Sequence, residues 1–299
     1  MKLARLVLLA ALTAACATPV ATGAAVVTST HPTTATGSSE SVAAPGEPVV
    51  LAAAGDISSG GTADDETAAL VERLSPTRVL TLGDNQYPNG AYQDFLTEYD
   101  ASWGAFRSIT LPTPGNHDCM TPGCAGYFQY FGEAAGEGHY AVELGDWLII
   151  SVNSELDVAS EAEFVRTALA DDTHTCQLVA WHHPRWSSGK HGSEPFADPL
   201  WHASVTGGAD VVLNAHDHSY ERFAPLDAAG ATAGGTTREF VVGTGGAGHY
   251  GFEIPLPGSE VRIADVFGVL RVELQPAGYA WSFHSTDDAI LDEGTSACH

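Results

Sequence analysis

Five short apolar runs in this chain each lead into a side chain able to bind a metal ion. Residues 49–54 run into Gly55-Asp56, and 79–82 into Gly83-Asp84-Asn85. Residues 109–111 lead to Pro114-Gly115-Asn116-His117-Asp118. Residues 177–181 end at His182-His183-Pro184, and 210–213 at Asn214-Ala215-His216-Asp217-His218. Short aliphatic runs of this kind read as buried strands. In open α/β sheets the loops past the carboxyl ends of strands share one rim, where ligands bind. A single Asp or His after a strand is ordinary turn chemistry. Five such endings in one domain instead constrain the chain to a sheet-built fold whose loops converge. His216 and His218 are two apart, so in an extended segment they point the same way.

Between and after these runs the pattern predicts a layered α/β domain, sheet against sheet with helices outside. A helix is expected from about Thr62, its N-terminus favoured by Asp64, Asp65 and Glu66, with Leu70, Val71 and Leu74 facing inward and Ser75-Pro76 as its stop. A second is expected over 93–99. Residues 141–144 and 147–152 around Gly145-Asp146 read as a hairpin, and Ser160 with Glu163 as a capping box opening a helix to about Leu169. Strands near 239–242, 268–274 and 279–284 alternate more visibly, which predicts antiparallel pairing late in the chain.

The 299 residues carry a net charge of -25. That balance excludes nucleic-acid binding, since phosphate backbones are held by Lys and Arg. It would also repel a phosphorylated substrate at long range, so a phosphate site here needs its own local positive charge. Metal ions would supply it. Residues 1–17, with Lys2 and Arg5 before an apolar core, read as an export signal too short to span a membrane. Leu12-Thr13-Ala14-Ala15-Cys16 resembles a lipoprotein signal, with Cys16 as the lipidated residue; cleavage after Ala17 is the alternative. Residues 18–47, rich in Thr, Ala, Ser, Pro and Gly, read as a flexible spacer before a catalytic domain over 48–299. Four cysteines remain, an even number in an exported chain. The Pro122-Gly123 turn would bring Cys119 and Cys124 together, and Cys176 with Cys298 would tie the C-terminal tail to a central strand. Metal ligation by these cysteines is the alternative, without a Cys-x-x-Cys pair to support it.

Mixed carboxylate, amide and imidazole donors suit iron, manganese or zinc. Two such ions about 3.5–4 Å apart are a usual arrangement for hydrolysing phosphate esters. In order, Gly55-Asp56, Gly83-Asp84-Asn85, Gly115-Asn116-His117-Asp118, His182-His183-Pro184 and His216-Asp217-His218 resemble the five motifs of calcineurin-like metallophosphoesterases. The chain is most similar to the purple acid phosphatases within them: Ser58 stands where the broad family has a His, and Tyr87 follows Asp84 by three residues. The resemblance spans roughly 49–284 and implies a four-layer αββα sandwich of two mixed sheets.

It further implies that one metal takes Asp56, Tyr87 and His218, that the second takes Asn116, His182 and His216, and that Asp84 bridges them. The Tyr87-bound ion would be Fe(III), with Fe(II), Zn or Mn at the other site. Asn116 and His117 would contact the phosphate, and His191, nine residues after His182, would donate a proton to the leaving group. His183 would be a neighbour, not a ligand. The implied reaction is hydrolysis of small phosphate monoesters by a metal-bound hydroxide. Alternatives are a phosphodiesterase, acting on cyclic nucleotides or lipid headgroups, and a noncatalytic metal-retaining surface-binding protein. Ala215, where the family has Gly, and Asp118, where close relatives often have Glu, depart from the pattern without removing a ligand. His249 reads as an ordinary loop histidine. The 243–248 glycine run lacks the following helix of a nucleotide site, and Ser187 and Ser188 lack a partner base for nucleophilic catalysis.

Overall fold

A computed structural model describes residues 48–299. The leader and spacer read in 1–17 and 18–47, including Cys16, lie outside the described residues. Two mixed sheets, with helices against them, form the domain. The first has the order β13-β12-β11-β1-β2-β3, from β1 (Val49–Ala54), β2 (Arg78–Thr81), β3 (Thr110–Leu111), β11 (Gly268–Gln275), β12 (Gly278–Ser285) and β13 (Ile290–Ala297). The second has the order β10-β8-β9-β7-β6-β5-β4, from β4 (Tyr140–Leu144), β5 (Trp147–Ser151), β6 (Cys176–Ala180), β7 (Val211–Asn214), β8 (Tyr220–Phe223), β9 (Arg238–Val242) and β10 (Ser259–Ile263).

Alternation within the strands divides the apolar side chains between two cores. Leu51, Ala53, Leu80 and Val272 of the first sheet share one cluster with Ile149, Leu178, Leu213 and Phe240 of the second. The opposite faces of β5, β6 and β7 (Ile150, Val179, Val212) meet Val165 and Leu169 of α4 (Val158–Ala170) and Leu200 and Ala203 of α5 (Asp198–Gly207). α1 (Ala63–Leu74) buries Leu70 and Val71, with Leu74 at its margin, and contacts β11.

β1, β2 and β3 are mutually parallel, as are β5, β6, β7 and β9. Each parallel set therefore points its carboxyl ends one way. β11, β12 and β13 pair antiparallel, as expected late in the chain. β9 departs from that expectation, joining β7 in parallel and β8 antiparallel. The N-cap of α4 is Asp157, not Ser160: Asp157 accepts from the Ala159 amide, while Ser160 lies inside the first turn and donates to Asp157 Oδ2 at 3.0 Å. Asp157 intercepts the free amides first, so the helix starts earlier than the capping-box reading. The expected helix over 93–99 is α2 (Tyr92–Thr97), followed by a 3₁₀ turn. Disulfides join Cys119 to Cys124 and Cys176 to Cys298. Cys176 and Cys298 lie close to Asp210, but their bond leaves no thiolate for a metal. No helix among the described residues is long and apolar enough to cross a membrane.

Candidate metal centre

The loops leaving β1 and β2 continue the parallel pairing of their strands. Asp56, Ile57 and Ser58 donate their amides to Gly83, Asp84 and Asn85, and the Tyr87 amide returns to Ser58. This pairing brings Asp56 beside Asp84 and Tyr87. The second sheet repeats the device, with the Trp181 amide on Leu213 and the Ala215 amide on His182. Glycines close the seam between the sheets. Gly245 donates to the Gly55 carbonyl and Ala247 to that of Asp56. A Cβ on Gly243 would lie 2.5 Å from Asp56 Oδ2, and one on Gly245 would lie 2.6 Å from Gly55 O. The glycine run is thus a close backbone approach, which accounts for it without a nucleotide.

Asp56, Asp84 and His216 adopt positive φ angles of 57°, 49° and 68°. Such backbone is costly outside glycine and gathers at functional sites. The Asp56 and Asp84 carboxylates and the His182 ring are all but fully buried and lie close enough together to hold one ion. Tyr87 donates its hydroxyl to Asp56 Oδ1 at 2.8 Å and stands 3.2 Å from His218 Nε2. His218 Nε2 is 3.3 Å from the same carboxylate oxygen. Across the centre, His182 Nε2 lies 3.4 Å from Asp84 Oδ2 and 3.2 Å from Asn116 Oδ1. His216 packs against His182 and His191, with ring centres 5.1 and 4.5 Å apart. All seven residues read as ligands, with His117 and His191 beside them, are therefore gathered at one rim.

The donor set fits a pair of cations. The Leu82 carbonyl, 2.8 Å from His182 Nδ1, can only accept, as can the Gly248 carbonyl at His218 Nδ1. Both Nδ1 atoms carry the hydrogen, so both Nε2 atoms turn toward oxygens that are mostly acceptors. Such backbone anchoring is a hallmark of metal-binding imidazoles. Burial opposes a charge on His182, but the Asp84 carboxylate outweighs it and lifts the pKa to about 10. Burial also opposes ionisation of Asp84, yet His182 and His117 hold it well below the usual carboxylate range. Burial, then Asp56 and Asp84, keep the Tyr87 phenol protonated far above its ordinary value. Burial and the neighbouring imidazoles of His182, His183 and His191 keep His216 neutral, with a lone pair free. A cation among these oxygens and nitrogens removes each conflict at once.

The surrounding residues hold the loops. Asp118 accepts from the amides of Asn85, Gln86 and Gly115 and from the Asn85 side chain, at 2.9–3.2 Å. Burial and the nearby Asp84 push it up to about 7 against those donors. The His117 amide donates to Asp84 Oδ1 at 2.7 Å. Asp217 accepts from the amides of His191 and Gly192 and from Ser187 Oγ. Ser188 Oγ donates to Glu221, so neither serine is free to act as a nucleophile. His183 lies near His182 and His216, but its Nδ1 faces Glu155 at 2.7 Å and Ser154 at 3.2 Å.

The ordered motifs also decide the family. A calcineurin-like phosphoesterase model matches residues 40–220, more than half of the sequence. The chain belongs to the calcineurin-like phosphoesterases. Among curated proteins none matches it. Solved structures of the same fold include a purple acid phosphatase from yellow lupin seeds, 19% identical with a TM-score of 0.68, the match covering 85% of this chain and 55% of that one. This phosphoesterase thus spans about half of the lupin protein's length. GAP50, an anchor in the inner membrane complex of Plasmodium, is 12% identical with a TM-score of 0.66, covering 84% of this chain and 89% of its own. PhoD is 11% identical with a TM-score of 0.56, covering 85% and 70%.

Two neighbours of the centre escaped the sequence reading. Tyr250 stacks on His218 with ring centres 4.2 Å apart, and Glu155 backs His183. Tyr250 follows the glycine run, where only its neighbour His249 drew attention. His249 packs instead on Phe267, with centres 3.9 Å apart.

Proposed function

We propose that this phosphoesterase is an exported dinuclear-metal phosphatase hydrolysing small phosphate monoesters. The observation that carries the proposal is the gathering of Asp56, Asp84, Tyr87 and Asn116 from one sheet with His182, His216 and His218 from the other. Asp56, Tyr87 and His218 would hold one ion, Asn116, His182 and His216 the second, and Asp84 both. The Tyr87 phenolate suits Fe(III), with Fe(II), Zn(II) or Mn(II) at the other position. Two such cations, when bound, polarise phosphoryl oxygens and acidify water toward neutrality.

The chain's own groups do the rest. Asn116 and His117 orient the phosphoryl group. His117 is fixed by its Nδ1 on the Pro88 carbonyl and its amide on Asp84. His191, solvent-facing and ring to ring with His216, delivers a proton to the departing alkoxide. The two disulfides support an oxidising, exported location. Residues 1–17 would direct export, and Cys16 would carry any lipid anchor.

The test is elemental analysis together with an ester panel on protein reconstituted with iron, zinc or manganese. Two metals per chain, faster release from 4-nitrophenyl phosphate than from bis(4-nitrophenyl) phosphate, and a visible phenolate-to-iron band lost in Tyr87→Phe are expected. Preference for the diester would make it a phosphodiesterase. A colourless, fully active zinc or manganese protein would remove the iron claim alone. The second reading is a noncatalytic surface protein, favoured by the fold shared with GAP50, which is described as an anchor. Metal-loaded protein that releases no phosphate from a broad ester panel would favour it.

A further inference from the structure

Lys190 is the only lysine among the described residues, and it sits next to His191 at the mouth of the centre. Its ammonium lies 4.6 Å from the centre of the Tyr250 ring. That ring stacks on His218 at 4.2 Å and meets His191 edge-on at 5.1 Å. One aromatic side chain thus links the cation to a proposed metal ligand and to the proposed proton donor.

The position is built. Gly189 bridges Phe252 in antiparallel fashion, and the Glu253 amide donates to the Ser188 carbonyl at 2.9 Å, so the segments carrying Lys190 and Tyr250 are laced together. On the other side Asp217 holds the His191 and Gly192 amides. A Cβ on Gly189 would lie 2.3 Å from the Asp217 carboxyl carbon, so this stretch can be held so tightly only with glycine there. The chain has 37 acidic residues against 12 basic ones, and Arg73, Arg166, Arg185, Arg222, Arg238 and Arg271 all pair with carboxylates. Lys190 pairs with none among the described residues; its exposed ammonium rests on an aromatic face. Cation–π seating of an exposed ammonium is weak, on the order of 0.5–1 kcal/mol. An anion arriving at the mouth can therefore take up the charge without breaking a salt bridge.

We infer that Lys190, seated on Tyr250, is a specificity-determining residue that reads a second anionic group, phosphate or carboxylate, on the leaving-group side of the ester. This rests on the phosphatase reading and names its substrate class: phosphorylated compounds whose alcohol portion is itself charged. With the ester phosphate held where Asp56, Asp84, Asn116 and the three histidines would bind the ions, His191 would face the scissile oxygen, and the second anion would reach past Tyr250 to the ammonium.

The test uses matched pairs on the metal-loaded full chain. Fructose 1,6-bisphosphate against fructose 6-phosphate adds a phosphate, and 2-phosphoglycerate against glycerol 2-phosphate adds a carboxylate. Lys190→Gln should lower kcat/KM for the doubly anionic member about three- to tenfold more than for its partner, chiefly through KM, and the excess should shrink at high salt. Lys190→Arg should retain the preference. Binding gives a readout independent of turnover: by calorimetry, Lys190→Gln should lose affinity for pyrophosphate relative to orthophosphate. Unchanged ratios in both kinetics and binding would overturn the inference while leaving the phosphatase intact. Failure of the wild-type protein to turn over any ester would sink the phosphatase reading, and the pyrophosphate-to-orthophosphate ratio would still decide whether Lys190 reads a second anion.

Discussion

The Tyr87 hydroxyl donates to Asp56 Oδ1 across 2.8 Å, although 31 residues separate them in the chain. Parallel pairing of the loops beyond β1 and β2 makes this contact, and it fixes a phenol between two buried carboxylates. The same pairing turns the Asp84 carboxylate toward His182. The geometry of the centre is therefore a property of strand register, so single substitutions there can be read without unfolding the domain.

Asp84→Asn preserves shape but removes the charge that both proposed ions would share. The expected product is a folded protein with at least one metal lost and activity reduced more than about 100-fold, outer-sphere changes alone costing 10–100-fold. Elemental analysis, circular dichroism and an ester assay together check it. Full turnover by this variant would end the bridging assignment.

His191→Ala should expose the leaving group. Proton donation contributes roughly 10²–10⁴ in rate. The loss should be large for alkyl phosphates and small for 4-nitrophenyl phosphate, whose phenolate departs without help. Equal losses on both esters would remove His191 as the donor.

Outside the proposed ligand set, Glu239 is fully buried, accepts from the Trp186 amide, and leaves its Oε2 unpartnered. Burial foremost, with Glu221 adding repulsion, raises its pKa well above the ordinary value. A carboxyl raised on folding stabilises fully below its unfolded pKa of about 4.3, and that contribution is lost as pH climbs through the folded value. Glu239→Gln should match the wild-type melting temperature near pH 4 and exceed it progressively toward neutral and alkaline pH. A difference between the two proteins that stays constant with pH would show instead that the carboxyl ionises as freely in the fold as in the unfolded chain.

The Cys176–Cys298 bond spans 122 residues. Closing a loop of that size limits the unfolded chain by an entropy worth about 4–5 kcal/mol. Beside it the His299 amide and ring nitrogen lie 2.9 and 2.7 Å from Asp210 Oδ1. Cys298→Ser should lower unfolding stability by several kcal/mol in guanidinium titrations, while Cys124→Ser, opening a loop of only five residues' separation, should cost about 2 kcal/mol. Reversal of that order would contradict the chain-entropy account.

What was legible in the sequence is the inner structure. β1, β2, β6 and β7 are aliphatic, buried and closed by motif residues, so the strands and the rim they feed could be read together. The edges were not legible. β10 and β13 alternate half-buried with exposed residues and include Glu260, Arg262, Asp292, Glu293 and Gly294, which look like loop. β8 is fully buried yet carries Glu221 and Arg222, whose partners Ser188 and Asp292 lie far off in the chain. α3 (Ala125–Phe131) is aromatic and holds Gly126, poor helix chemistry that survives because the glycine packs on the Gly90 carbonyl. α5 went unread as well, although Pro199 in its first turn and the Leu200, Trp201 and Ala203 stripe are ordinary helix chemistry. At the centre, Tyr250 was invisible because nothing local marks it; only the folded chain lays it on His218.

The division of the donors between the sheets has a mechanical meaning. Each proposed ion draws on carboxylate, phenol or amide from the β1–β3 side and on imidazole from the β6–β7 side, so it would act as a rivet through the sandwich. Prying the two layers apart would then require tearing out the ions, whereas stripping the ions would leave the layers held by the shared core and by the backbone hydrogen bonds of the glycine seam at 243–248.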